Sequence, residues 1–93
     1  MKKLFVAYLG GEKENGRFGE DHEVVVVVAD EESEAIDKAK AKWGGFGKGH
    51  LDRIIELKTV DGFDISLTKN ENTSIDVLKE SRKSLFKTIK SNI

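Results

Sequence analysis

The sequence predicts an α+β domain with the element order ββαββα, in which a mixed four-stranded sheet carries one crossover helix and a C-terminal amphipathic helix. Three observations lead to this fold class. Two apolar runs precede residue 30, the second of them rich in valine, a segment with the charge pattern of a helix follows them, and an Asp-Gly pair separates two further strand-like runs. No linker or repeat divides the 93 residues. We therefore treat 1–93 as a single domain, with the last helix at 74–91.

Apolar runs predict the first two strands. Residues 3–9, KLFVAYL, are apolar on both alternations, which suits a strand covered on both faces. Lys2 and Lys3 before the apolar residues 4–9 make the N-terminus resemble a signal peptide, but these six residues are fewer than the roughly 7–15 apolar residues of such a peptide. Residues 22–30, HEVVVVVAD, hold five consecutive valines and predict a central strand. The polar, glycine-rich residues 10–20 predict a long loop between the two strands.

The segment from residue 31 to residue 43 predicts a helix. Asp30 is placed to cap its first free amides, acidic residues follow in the first turn and lysines in the last, so the charges complement the helix dipole. Ile36, Ala39 and Trp43 form its apolar stripe.

The glycine-rich stretch GGFGKG follows that helix. Phosphate-binding loops open a helix rather than follow one, so we interpret the stretch as the joint into the third strand. Gly44 or Gly45 is expected to supply the left-handed residue that ends the helix. An anion nest of backbone amides helped by Lys48 remains the alternative.

The end of the sequence predicts two strands and a helix. Asp61-Gly62 is the two-residue turn of a hairpin. After it, apolar and polar residues alternate from Phe63 to Thr68, as expected of an edge strand with one wet face. Ser74 can cap the last helix, whose basic side we interpret as solvated, with a nucleic acid or membrane surface as the alternative.

Composition narrows the function classes. The formal net charge of −1 gives no strong nucleic-acid signal, and no run approaches the ~20 apolar residues of a membrane span. The chain has no cysteine, which excludes thiolate metal sites and is compatible with a reducing cytoplasm, where we expect the protein. We expect no cofactor. The valine strand needs cover on both faces and the first helix covers only one, so the opposite face must meet the last helix or another subunit. Of these we expect the second, a homodimer.

Tracing the chain brings polar residues together at one end of the sheet. If the helix runs back along the sheet, the second and third strands are parallel and both start at the same end. His22 and His50 each open a strand, so a small ligand or anion is expected there, bound by a cluster of Arg17, Glu20, His22, Lys48, His50 and Asp52. Imidazole with carboxylate suits zinc, acid–base catalysis or an ordinary hydrogen bond; no strong metal spacing is present, and we assign no metal and no catalytic residue.

Several motifs resemble the bacterial family catalogued as domain of unknown function 1543. They are YLGG at 8–11, EDHEVVVVV at 20–28 and HLDRIIELKTVDGFDISL at 50–67, and the resemblance covers residues 3–68. It implies no catalytic residue, because the family name carries no activity. The first hypothesis is therefore a non-catalytic interaction or ligand-binding module. The second is a small hydrolase or metal-dependent enzyme using His22, His50 and Asp52.

Overall fold

The computed structural model describes residues 1–16 and 18–73 and shows an α+β protein. Five strands and one helix follow in the order β1 (Lys3–Glu12), β2 (Asp21–Ala29), α1 (Glu32–Ala41), β3 (Phe46–Glu56), β4 (Thr59–Val60) and β5 (Phe63–Asp64). In the described part of the chain, no helix is long and apolar enough to cross a membrane. The C-terminal helix predicted at 74–91 lies outside the described residues.

The main sheet has three strands in the order β2-β1-β3, and both pairings with β1 are antiparallel. β2 and β3 therefore run in the same direction, as the tracing predicts, but β1 lies between them. The prediction of a mixed four-stranded sheet is wrong for the described residues: among them the sheet contains only antiparallel pairs, and the predicted fourth strand pairs elsewhere. The common direction of β2 and β3 was predictable because the helix between them runs back along the sheet. The position of β1 depends on long-range strand pairing, which the local sequence pattern does not encode.

The core lies between α1 and one face of this sheet, which we call the helix face. Its buried residues come from β1, β2 and α1: Phe5, Ala7, Leu9, Val25, Val27, Ala29, Ala35 and Ala39. Trp43, Leu51 and Ile54 pack against them. The alternate residues of the strands form the opposite, open face, on which Tyr8, Val24, Val28 and Ile55 are exposed. The small alanines of α1 allow the helix to lie close to the sheet.

The valine strand β2 is at the edge of the sheet, so its prediction as a central strand is wrong. Five consecutive valines place apolar side chains on both faces of a strand, but they do not require neighbouring strands on both sides. The helix protects the outer edge: Lys38 Nζ donates to the Val28 carbonyl and Lys42 Nζ to the Val26 carbonyl, each at 2.7 Å. Amines on these carbonyls hinder the pairing of another strand with this edge.

The ends of α1 differ from prediction. Its N-cap is Glu31 without a side-chain capping bond, because Asp30 faces Lys2, with Nζ and Oδ2 3.3 Å apart. At the other end Lys42 has right-handed backbone angles, and neither Gly44 nor Gly45 has a positive φ. The expectation of a left-handed glycine cap is therefore wrong. The joint is also shorter than predicted, since β3 already begins at Phe46.

β4 and β5 form a separate hairpin, which we call the arm (residues 58–65). Asp61 and Gly62 have φ angles of 52° and 84°, which confirms the predicted two-residue turn. The Ile65 amide continues the ladder by donating to the Lys58 carbonyl at 2.9 Å. Among the described elements, β4 and β5 pack only against each other. The predicted fourth strand thus belongs to the arm, and Phe63 is 76% exposed rather than packed on the main sheet.

Candidate functional site

Two histidines lie on either side of Gly10 on the open face. In the register of the sheet, Gly10 of β1 pairs with His22 of β2 and with His50 of β3. Paired residues of adjacent strands lie on the same face, so the side chains of His22 and His50 both stand beside the glycine. Because glycine has no side chain, nothing on β1 separates them.

A bulge in β3 places His50 on this face. Tyr8 pairs with Arg53 and the next residue, Leu9, pairs with Leu51, so Asp52 is an extra residue opposite the β1 backbone. An extra residue reverses the alternation on one side of the bulge. As a result Leu51 packs against the core, as Ile54 does, and His50 lies opposite Gly10 on the open face.

Four side chains, Glu20, His22, His50 and Asp52, form a closed ring of contacts that we call the histidine–carboxylate cluster. His22 Nε2 lies 3.5 Å from Glu20 Oε2 and 3.2 Å from Asp52 Oδ2. His50 Nε2 lies 2.6 Å from Glu20 Oε1 and 3.1 Å from Asp52 Oδ1. Each carboxylate thus presents one oxygen to each imidazole, and each Nε2 faces two carboxylates.

The cluster sits directly over the Gly10 backbone. A Cβ built on Gly10 would lie 2.8 Å from Glu20 Oε1, 2.8 Å from His50 Nε2 and 2.9 Å from Asp52 Oδ2. These distances are shorter than van der Waals contact, so any side chain at this position would displace the polar atoms. The glycine is therefore a requirement of the cluster's geometry.

A neighbouring aromatic ring supports one side of the cluster. The ring of Tyr8 stacks on the imidazole of His22 with 4.9 Å between centroids and 17° between planes. Such stacking restricts the rotation of the imidazole and keeps its edge directed at the carboxylates. The four cluster side chains remain 31% to 55% exposed, so a small ligand can reach them from solvent.

The structure brings together four of the six residues that the sequence singled out: Glu20, His22, His50 and Asp52. Lys48 is exposed on β3 and makes none of the cluster's contacts, whereas Arg17 lies outside the described residues. The sequence did not give Gly10 or Tyr8 a role in the site. Tyr8 and Gly10 belong to the YLGG motif, but their places in the site follow from strand register, which the motif alone does not reveal.

The charge of the cluster favours cations. With neutral imidazoles its formal charge is −2, from the carboxylates of Glu20 and Asp52. As the side chains stand, no three His, Cys, Asp or Glu residues in the described part of the chain have the geometry of a metal-holding group. The contact of 2.6 Å between His50 Nε2 and Glu20 Oε1 is slightly shorter than an ordinary N–H···O hydrogen bond. The cluster is therefore a ring of close imidazole–carboxylate contacts.

A second polar group lies on the helix face and closes the end of the core. The buried carboxylate of Glu23 pairs with Lys13 Nζ and accepts a hydrogen bond of 2.9 Å from the Gly44 amide. Lys13 Nζ also lies 4.8 Å from the centroid of the Trp43 ring. This group joins the segments that follow β1 and α1 to β2, and its role is structural.

Comparison with known proteins gives one match. A family model described as Domain of Unknown Function (DUF1543) matches residues 17–67, which include all four members of the histidine–carboxylate cluster. No curated protein and no solved structure matches the chain.

Proposed function

The chain belongs to the DUF1543 family, whose description names no activity, and from the geometry of the histidine–carboxylate cluster we propose that it is a small, non-catalytic ligand-binding module. The ligand that this site suits is a small, positively charged molecule or ion. The observation that carries the proposal is the closed ring, in which two imidazoles and two carboxylates converge over Gly10.

Electrostatics supports a cationic ligand over an anionic one. Two carboxylates that contact the same imidazole nitrogens repel each other, and a bound cation lowers this repulsion while an anion adds to it. The anion-binding alternative depended on Arg17 and Lys48, and Lys48 takes no part in the ring. The loss of water from partly exposed carboxylates is modest, so binding a cation here does not require burial of an unpaired charge.

A binding screen tests this proposal. Full-length protein without a histidine tag is titrated with putrescine, guanidinium, calcium and zinc ions, and with phosphate and sulfate, while amide shifts are followed by NMR. We expect at least one cation to shift the amides around Gly10, and the anions to leave them unchanged. Glu20→Gln should weaken that response.

The matched control is Glu14→Gln, which removes the same charge from an exposed residue of the same connection. If phosphate but no cation shifted these amides, or if both glutamine variants weakened binding equally, the proposal would be wrong. The first outcome would favour the anion nest, and the second a diffuse effect of net charge.

The enzyme alternative has one contact in its favour. His22 Nε2 lies 3.2 Å from Asp52 Oδ2, an arrangement that general acid–base catalysis also uses. A hydrolase of this kind should cleave an activated ester such as p-nitrophenyl acetate faster than free imidazole does. It should lose this rate in Asp52→Asn, with Asp64→Asn on the arm as the control. Equal rates in wild type and Asp52→Asn would exclude this use of the pair.

A further inference from the structure

The geometry points to a more specific ligand: we infer that the histidine–carboxylate cluster binds one divalent first-row transition metal ion, with zinc as the reference ion. The inference rests on the proposed function and names the class of its ligand. The donors are Nε2 of His22 and of His50 and one carboxylate oxygen each from Glu20 and Asp52.

The donor set suits such an ion. Imidazole nitrogen and carboxylate oxygen together are ligands of zinc and of other first-row metals, whereas calcium and magnesium prefer oxygen alone. An organic ammonium ion gains little from imidazole nitrogens that stand beside two carboxylates. The pairing of two imidazoles with two carboxylates therefore separates a transition metal from the other cations in the screen.

Distances within the cluster are close to those between ligands of one ion. Donors about 2.0–2.2 Å from zinc lie about 2.9–3.5 Å from one another when the coordination is octahedral or tetrahedral. His22 Nε2 lies 3.5 Å from Glu20 Oε2 and 3.2 Å from Asp52 Oδ2, so this nitrogen is spaced from one oxygen of each carboxylate as ligands of one ion are. His50 Nε2 contacts the other oxygen of each carboxylate, at 2.6 Å and 3.1 Å, and must move to share the same two oxygens; as the side chains stand, no described group has a metal-holding geometry.

The short contact can open at small cost. The side chain of His50 is 55% exposed and that of Glu20 is 44% exposed, and Glu20 precedes β2 rather than lying within it. Rotation of these two exposed side chains would lengthen the contact and let both imidazoles share one oxygen of each carboxylate. His22 needs no such change, because its ring is already held by Tyr8.

Hydrogen bonds alone cannot account for all four imidazole–carboxylate contacts of the cluster. An imidazole Nε2 carries at most one hydrogen, yet each Nε2 here faces two carboxylates. Two N–H groups can direct well-aligned hydrogen bonds along only two of the four contacts, and the other two bring oxygen lone pairs together with a nitrogen that has no further hydrogen to offer. A metal ion at the centre accepts an electron pair from all four groups.

Calorimetry with zinc tests the inference on the full-length, tag-free chain after treatment with a chelator. We expect binding of one zinc ion per chain. In His22→Gln and in His50→Gln the affinity should fall by more than the roughly 10–100-fold that loss of a hydrogen-bond partner of a metal ligand causes. Glu14→Gln is the control and should bind as wild type does. Circular dichroism of each variant verifies that the fold is retained.

A spectroscopic measurement on the wild type does not depend on the folding of any variant. Cobalt(II) should bind to the protein with visible absorption bands that show nitrogen ligation, and zinc should displace it in proportion to the amount added. Histidine ring nitrogens should show the corresponding shifts by NMR.

The outcomes distinguish this inference from the proposed function. Zinc binding that is unchanged in both histidine variants, or cobalt spectra that lack nitrogen ligation, would overturn the metal inference. If putrescine or guanidinium binds at the cluster and no transition metal does, the metal inference fails while the proposed function stands. If no cation binds there, both are wrong.

Discussion

Several glycines lie where other side chains occupy the space that a Cβ would need. Gly10 leaves room for the histidine–carboxylate cluster, and a different set makes room for the indole of Trp43. Cβ atoms built on Gly45 and Gly49 would lie 2.4 Å and 2.7 Å from that ring. The stretch GGFGKG is thus in part a slot for a tryptophan that follows α1, and its glycines do more than provide a flexible joint.

The site glycine gives the first prediction. Gly10→Ala should weaken ligand binding, because the new methyl group would lie under three polar atoms of the cluster and force them apart. The stability cost should be small, because the three atoms are ends of partly exposed side chains that can rotate aside. Binding by NMR titration and unfolding by urea measure the two effects. Wild-type affinity in the alanine variant would show that the ligand site lies elsewhere.

The tryptophan slot gives the second prediction. In Gly45→Ala the Cβ would meet the Glu12 carbonyl oxygen at 2.4 Å as well as the indole, so the backbone must move. We expect a loss of roughly 1–3 kcal/mol in the free energy of unfolding. The adjacent Gly44→Ala is the matched control, because its Cβ would make only an ordinary contact of 3.4 Å with Glu23. Equal losses of unfolding free energy in the two variants would contradict the claim that Gly45 makes room for the Trp43 indole.

At the scale of elements, a buried carboxylate holds the end of the helix to the sheet. Glu23 of β2 contacts Lys13, which follows β1, and Gly44, which follows α1. Glu23→Ala leaves the amine and the amide without this acceptor, and we expect a loss of about 1–3 kcal/mol in urea unfolding. Glu23→Gln keeps an acceptor and should lose less. The reverse order would show that packing, not hydrogen bonding, dominates at this junction.

The contribution of Glu34, near the start of α1, to the stability of the fold should depend on pH. A side-chain hydrogen bond from Lys38 and the backbone N–H of Asp30 lower the pKa of Glu34 in the folded protein. A carboxyl group with a lowered pKa stabilises the fold above its unfolded-state pKa, and this contribution disappears as pH falls through the folded-state pKa. The stability difference between wild type and Glu34→Gln should therefore shrink on acidification. A difference that grows in acid would contradict the assignment.

The whole molecule leaves apolar surface without cover in its described part. The open face carries Tyr8, Val24 and Ile55, and the arm carries Phe63 with Val60 on one side of its ladder. An isolated two-stranded hairpin is marginally stable in water, so the arm is expected to pack against something. One symmetric contact between two copies would cover both surfaces, which is why we expect a homodimer.

Light scattering at tens of micromolar checks this expectation. Wild type should have the mass of two chains, and Phe63→Ser should shift the equilibrium toward one. Thr59→Ser, on the other side of the arm, is the control and should stay dimeric. A monomeric wild type would refute the dimer and would leave the apolar surfaces to another part of this chain or to a different partner.

The local sequence pattern predicted the directions of the strands and the hairpin turn, but not which strands lie next to each other in the sheet. The apolar run of β1 and the Asp61-Gly62 turn were identifiable because alternation and turn chemistry act over a few residues. The same reasoning placed the valine strand in the centre of the sheet. A strand that is apolar on both faces and a strand that pairs with a strand at each edge have the same local sequence pattern. The end of the sheet that carries His22 and His50 was predictable from chain direction. Gly10 could not be placed between them, since the bulge at Asp52 sets that register.

Paramagnetic broadening by copper(II), an ion that imidazole suits, tests the central claim most directly, namely that Glu20, His22, His50 and Asp52 form one cation site over Gly10. Substoichiometric copper is added to the nitrogen-labelled 93-residue chain, and losses in signal intensity are mapped along it. We predict that the Gly10 amide and the ring signals of both histidines broaden first and together, while the arm around Asp61 keeps its intensity. Broadening that begins at scattered exposed acids such as Glu31 and Asp61, with the histidine rings unaffected, would contradict the account.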